Sequence, residues 1–90
     1  MAPRNDLEKQ VCKIWSEVLE LPLDNIGIRD NFFRLGGNSI LSIKLITKLN
    51  RKLNCNIPLT SIFFTSSIES LSNIIRYNLK TIRNYKKYEF

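Results

Sequence analysis

Apolar residues return along this chain at helical rather than strand spacing. From Asn5 onward, Leu7, Val11, Ile14, Trp15 and Val18 share one face at 3.6 residues per turn. Asn5 followed by Glu8 three positions later is an N-terminal capping pattern, so the spacing predicts a helix over 5–20. Pro22 stops it. Between Leu23 and Asn38 the periodicity dissolves: Asp, Asn and Gly are mixed with isolated Ile26, Ile28, Phe32 and Phe33, the composition of a long loop pinned to a core by its apolar residues. An irregular connection of that length is uncommon in a small domain unless it serves a function, which draws attention to its C-terminal end.

Ser39 opens a second periodic stretch that runs to Leu53. Leu41, Leu45, Ile46, Leu49 and Leu53 face inward at 100° per residue, and Arg51 and Lys52 fall where cations offset the helix dipole. A short helical turn is expected from Pro58 to Phe64. Ser66 with Glu69 then offers a capping box for a last helix whose face carries Ile68, Leu71, Ile75, Leu79 and Ile82. Of the adjacent phenylalanines in the short helix, Phe63 is expected inside and Phe64 exposed. Trp15 is expected in the core beside Leu19 and the loop aromatics, since it sits near the centre of the first apolar face. The predicted fold class is therefore all-α: a bundle of three main helices and one short one, with a long first loop and no internal repeat.

Composition excludes more than it selects. Ninety residues that are 43% hydrophobic can build one core and not two. Histidine is absent, which removes Ser-His-Asp and Cys-His chemistry, and the two distant cysteines, Cys12 and Cys55, offer too few ligands for a zinc site. They read as small buried residues rather than a disulfide. Neither a catalytic set nor a metal site is expected. No apolar run reaches membrane-spanning length and the start lacks a signal-peptide layout, so the expected location is cytoplasmic. The formal charge of +6 is uneven: Arg76, Lys80, Arg83, Lys86 and Lys87 against Glu89 leave the last fifteen residues at +4, and the rest of the chain at only +2. Such a basic tail reads first as a solvated helix end or linker; a small basic module binding nucleic acid is the alternative it raises.

The chemistry concentrates in Asp30-Asn31-Phe32-Phe33-Arg34-Leu35-Gly36-Gly37-Asn38-Ser39-Ile40. Gly36 and Gly37 let the backbone turn sharply, and Ser39 opens a helix where the local field favours negative charge, a suitable seat for a phosphodiester. On local physics alone the plainer reading stays open, that the glycines make a tight turn and Asn38 or Ser39 merely caps the helix.

The stretch resembles the attachment motif of peptidyl carrier (thiolation) domains in nonribosomal peptide synthetases, a pattern running Asp-x-Phe-Phe-x-Leu-Gly-Gly-x-Ser followed by Ile or Leu, with Asp30, Phe32, Phe33, Leu35, Gly36, Gly37, Ser39 and Ile40 in register. The likeness extends over about residues 7–79, including the Ile-Pro-Leu junction at Ile57–Leu59 and the aromatic Phe63. It implies a four-helix carrier-protein bundle over residues 1–83, with 84–90 a C-terminal tail or linker. It also implies that Ser39, within the Gly36-Gly37-Asn38 motif, receives 4′-phosphopantetheine covalently from coenzyme A. The domain would be a non-catalytic monomer holding aminoacyl or peptidyl thioesters on that arm. Its partners would be a phosphopantetheinyl transferase and adenylation, condensation or thioesterase-type domains, without nucleic acid or membrane. An acyl carrier for polyketide or fatty-acid-type synthesis is the neighbouring alternative, and the mild basicity and Gly36-Gly37 favour the peptidyl kind. Asn38 departs from the Asp or His that many members carry there, which bears on partner choice.

Ile40 and Ile43, with Lys44 and Thr47, lie away from the core stripe of the second helix and within reach of Ser39, and are the expected docking surface for partners.

Overall fold

The computed structural model describes residues 2–87, with 80–87 as backbone alone. It contains α1 (Asp6–Leu19), α2 (Ser39–Leu53), α3 (Ser61–Phe64) and α4 (Ile68–Lys87), plus a 3-10 turn at Leu23–Asn25 within the first loop, and no strand occurs among the described residues. The all-α reading therefore holds in element order and in approximate bounds. Ile82, expected on the inner face of α4, lies outside the described side chains.

The start of α1 follows the sequence signal with one difference. Asn5 is extended and its Oδ1 accepts the Glu8 N–H at 2.9 Å. The Glu8 carboxylate does not reach back to close the capping box; it accepts the Arg4 N–H at 2.8 Å, Nε at 3.2 Å and Nη2 at 2.8 Å. That guanidinium also reaches Glu69 at 3.0 Å, so the first residues are fastened to both α1 and α4. Glu8 is buried, and a charge removed from water is tolerated only when it is paired in this way. The helix ends where Glu20 turns left-handed (φ 56°) and its N–H returns to the Ser16 carbonyl.

α1 packs against both α2 and α4. Trp15 is fully buried between them and the first loop, meeting Phe32 edge-to-face with ring centroids 5.1 Å apart. Burial of a side chain of this size contributes about 2 to 3 kcal/mol, a large part of a small domain's net stability. Leu19 packs at the edge of this core rather than within it. Leu45, Ile46 and Leu49 supply the inward stripe of α2, with Leu41 and Leu53 half-buried at its ends. Cys12 and Cys55 are buried free thiols, which burial holds above their usual pKa.

Two expectations at the third turn are corrected. Ser67, not Ser66, caps α4: its Oγ accepts the Ser70 N–H at 3.2 Å, while Ser66 Oγ donates to the Ile62 carbonyl at 2.8 Å. Glu69, now in the first turn, points its carboxylate to Arg4 and Arg29. Phe63 is not a core residue. A single helical turn can bury only one side, and Ile62 with Ser61 fills it. Phe63 is left 53% exposed, stacked on Phe33 at 5.6 Å and 15°, and Phe64 is exposed as expected.

Candidate functional site

The loop that ends at Ser39 is held in place from both sides. Ile26, Ile28 and Phe32 are buried in the core, the Phe32 N–H donates to the Ser66 carbonyl at 2.8 Å, and the Ile28 carbonyl accepts the Glu69 N–H at 2.9 Å. Asp30 closes its own turn by accepting the Gly27 N–H at 2.7 Å. Asn31 Oδ1 accepts from the Phe33 and Arg34 amides at 2.8 and 3.2 Å, starting a helix-like turn in which the Leu35 N–H reaches the Asn31 carbonyl at 3.1 Å. The loop therefore meets its backbone hydrogen bonds without regular structure.

The two glycines are required for different reasons. Gly36 has φ +108°, a backbone conformation that L side chains rarely adopt, and open space around it. Gly37 lies against Phe32: its N–H donates to the Phe32 carbonyl at 3.0 Å, and its Cα passes close to the ring. The turn is thus braced on the aromatic that touches Trp15, and the core fixes where the next two residues emerge.

Those residues are Asn38 and Ser39. Asn38 is extended; its Oδ1 accepts the Leu41 N–H at 2.9 Å, and its carbonyl accepts both the Ser42 N–H and Ser42 Oγ at 2.8 Å. Of the two residues that sequence reasoning offered as the cap, Asn38 takes the role. Ser39 is then the first residue of α2 and is exposed. The leading amides of a helix have no intrahelical acceptor, and no acidic residue lies in this first turn. Partial positive charge consequently gathers beside the hydroxyl, the setting a phosphate group requires.

The structure brings the proposed docking residues to the same end. Ile40 is 68% and Ile43 51% exposed, with Lys44 and Thr47 exposed beside them. Lys48 is paired with Glu17 at 3.6 Å. Sequence reasoning missed Leu59, 43% exposed just before α3, as an apolar surface residue; with Ile62 and Phe63 at i+3 and i+4 its spacing gave no sign of exposure. Among the described residues no cluster of His, Cys, Asp or Glu could hold a metal, and no helix is long and apolar enough to cross a membrane. The basic residues Lys80, Arg83, Lys86 and Lys87 that raised the nucleic-acid alternative lie outside the described side chains.

Comparison with known proteins is consistent with this geometry. The family described as "Phosphopantetheine attachment site" matches residues 9–75. The chain is 45% identical over 75 residues to gramicidin S synthase 2 of Brevibacillus brevis, covering 83% of this chain and 2% of the synthase. It is 42% identical over 72 residues to indigoidine synthase of Dickeya dadantii, covering 80% of this chain and 5% of that protein. The chain thus spans only a few per cent of the curated relatives it matches. Among solved structures, a peptidyl carrier protein in complex with the phosphopantetheine transferase Sfp and coenzyme A aligns with a TM-score of 0.80 at 30% identity, covering 86% of this chain and 97% of the other. A thiolation-reductase di-domain from an archaeal nonribosomal peptide synthetase aligns at 0.78 and 31% identity, covering 99% of this chain and 18% of the other.

Proposed function

The chain belongs to the family of phosphopantetheine-attachment domains, and on that premise we propose that Ser39 is its attachment residue and that residues 1–83 are a carrier unit serving nonribosomal peptide synthesis. The observation that carries the reading is the exposed hydroxyl of Ser39 at the first position of α2, behind a glycine turn braced on Phe32.

Attachment forms a bond from Ser39 Oγ to the phosphorus that bears the pantetheine of coenzyme A. The serine proton leaves, the pyrophosphate linkage breaks and adenosine 3′,5′-bisphosphate departs. This chain holds no histidine to act as base, so a separate transferase has to remove that proton. When bound, phosphopantetheine supplies a flexible arm ending in a thiol, on which aminoacyl or peptidyl groups ride as thioesters. The chain's own residues contribute position and field: Asn38 fixes the helix start, Gly36 and Gly37 lift the serine clear of the core, and the α2 amides favour the phosphate. Cys12 and Cys55 take no part, being buried and held in the thiol form. The domain carries cargo rather than transforming it, and tethering raises the cargo's effective concentration at a partner's active site.

Intact-protein mass after incubation with coenzyme A and a broad-specificity phosphopantetheinyl transferase tests this, with Ser39→Ala in parallel. A gain of one phosphopantetheinyl group on the parent alone is the expected result. No gain on a folded parent with two different transferases refutes the assignment.

A further inference from the structure

The buried residues of α2 are Ser42, Leu45, Ile46 and Leu49, at i, i+3, i+4 and i+7. Three of them are aliphatic. The first inward position, three residues after Ser39, instead carries a hydroxyl that is only 1% exposed. Burial of a hydroxyl is tolerated when it finds an acceptor, and burial alone does not guarantee one: Ser72, equally enclosed on α4, has none among the described residues. Ser42 has one. Its Oγ donates to the Asn38 carbonyl at 2.8 Å, and its own N–H reaches the same oxygen at 2.8 Å. Both lone pairs of that oxygen are therefore engaged from within the chain.

Helix stability does not account for the hydroxyl. Alanine fits the same space, has the higher helical propensity and needs no acceptor, and the Asn38 carbonyl would keep its bond from the residue 42 N–H. A serine bonded back to the carbonyl four residues earlier is slightly destabilising within a helix. What the bond does is local. The Asn38 carbonyl and the Ser39 N–H belong to one planar peptide unit, so holding the oxygen also holds the amide and the Ser39 Cα from which the reactive hydroxyl projects. Asn38 Oδ1 is fixed at the same time by the Leu41 N–H at 2.9 Å. Donation to the carbonyl also polarises the unit, which makes the Ser39 N–H a stronger donor toward a phosphate.

We propose that Ser42 is a positioning residue for phosphopantetheine attachment: its buried hydroxyl locks the Asn38–Ser39 peptide, so that the Ser39 hydroxyl and N–H meet coenzyme A in one orientation. The proposal rests on the reading of Ser39 as the attachment residue and deepens it. Ser42 touches neither the phosphorus nor the leaving group and acts only through Asn38 and Ser39. Because it lies beneath the surface, a transferase meets the same face of the domain whichever residue stands there. An effect of Ser42 on attachment is therefore an effect on the presentation of Ser39 and not on partner contact.

The test compares the full chain with S42A, S42C and S42T as substrates of a broad-specificity phosphopantetheinyl transferase and coenzyme A. S42C keeps the volume but donates weakly, and S42T keeps the hydroxyl. The expected result is that kcat falls about 3- to 10-fold in S42A and S42C, the order of one hydrogen bond's net contribution, while S42T stays near the parent. KM for the carrier should not move. In ¹⁵N–¹H spectra of the unmodified proteins, the Ser39 amide proton should shift upfield in S42A and S42C and hold its place in S42T, and the same spectra report that each variant is folded. A parental kcat in S42A, a change confined to KM, a slowing that simply follows the loss of Tm across the three variants, or an unmoved Ser39 amide overturns the proposal. Failure of the attachment reading looks different: parent and variants are then equally inert by mass, and the proposal falls with it.

Discussion

A β-carbon added to Gly37 would lie 2.4 Å from Cδ2 and Cε2 of Phe32 and 2.7 Å from its carbonyl oxygen. Neither group has room to yield, because Phe32 is fully buried and its ring sits against Trp15. Gly37→Ala should therefore cost about 1 to 3 kcal/mol by overpacking. Its amide shifts should spread to Phe32 and Trp15. Gly36→Ala faces open space and a φ of +108° instead, a backbone cost of about 1 to 3 kcal/mol whose shifts stay within the loop. Urea denaturation with ¹⁵N–¹H spectra separates the two; matching patterns of perturbation would show that Gly37 is not braced on the core.

Acid should weaken the fold through Glu8. Its hydrogen bonds and charge pairing with Arg4 hold the carboxyl below the ordinary value of 4.5 despite burial acting the other way. A group depressed in the folded state contributes stability above its unfolded pKa and loses it as pH falls through the folded one. Glu8→Gln should accordingly melt below the parent at neutral pH, with the gap narrowing as pH drops beneath 4.5. A Tm difference that stays constant down to the acid limit would contradict the assignment.

The third helix gives a sharper contrast between neighbours. Ile62 is fully buried and Phe63 is half out, so Ile62→Ala should cost about 2 to 5 kcal/mol. Phe63→Ala should cost only about 1 kcal/mol, the order of an aromatic pair's stacking, here with Phe33. Chemical denaturation of both variants decides it, and a larger loss for Phe63 would restore the sequence-based expectation.

That reversal marks the limit of what periodicity carries. For α1 and α2, fourteen and fifteen residues long, several turns repeat the same apolar stripe, and the buried residues can be assigned from spacing alone. Ser61–Phe64 makes one turn, too short for a face to repeat; Ile62 takes its buried side, and Phe63 is left to stack at the surface on the loop residue Phe33, distant in sequence. The Arg4–Glu8–Glu69 cluster was hidden for the same reason: its members lie 65 residues apart at the extremes, Glu69 having been assigned to a cap. The glycine turn and the helix start at Ser39 were legible because their parts are contiguous, and what the structure adds is the division of labour between Gly36 and Gly37.

Ser72 is fully buried on α4 and its Oγ has no hydrogen-bond partner among the described residues. An unmet buried hydroxyl is unfavourable, so Ser72→Ala should stabilise the domain by about 1 kcal/mol. Thermal and urea melts should both move upward; a loss of stability would reveal a partner for that hydroxyl.

Asn38 offers the most direct physical test of where the phosphate sits. Aspartate there would keep the acceptor for the Leu41 N–H and add a negative charge to a helix start that has no acidic residue in its first turn. In the unmodified protein Asn38→Asp should raise stability by about 0.3 to 1 kcal/mol. After phosphopantetheine is attached at Ser39, that added charge would stand next to a phosphodiester already drawing on the same amides. The gain should then shrink or change sign, and more so at low salt, where like charges are screened least. Urea denaturation of both proteins in both states measures the difference. An equal gain with and without the modification would mean that the phosphate does not share the α2 N-terminus, and the electrostatic account of the site would fail while the attachment itself still registered by mass.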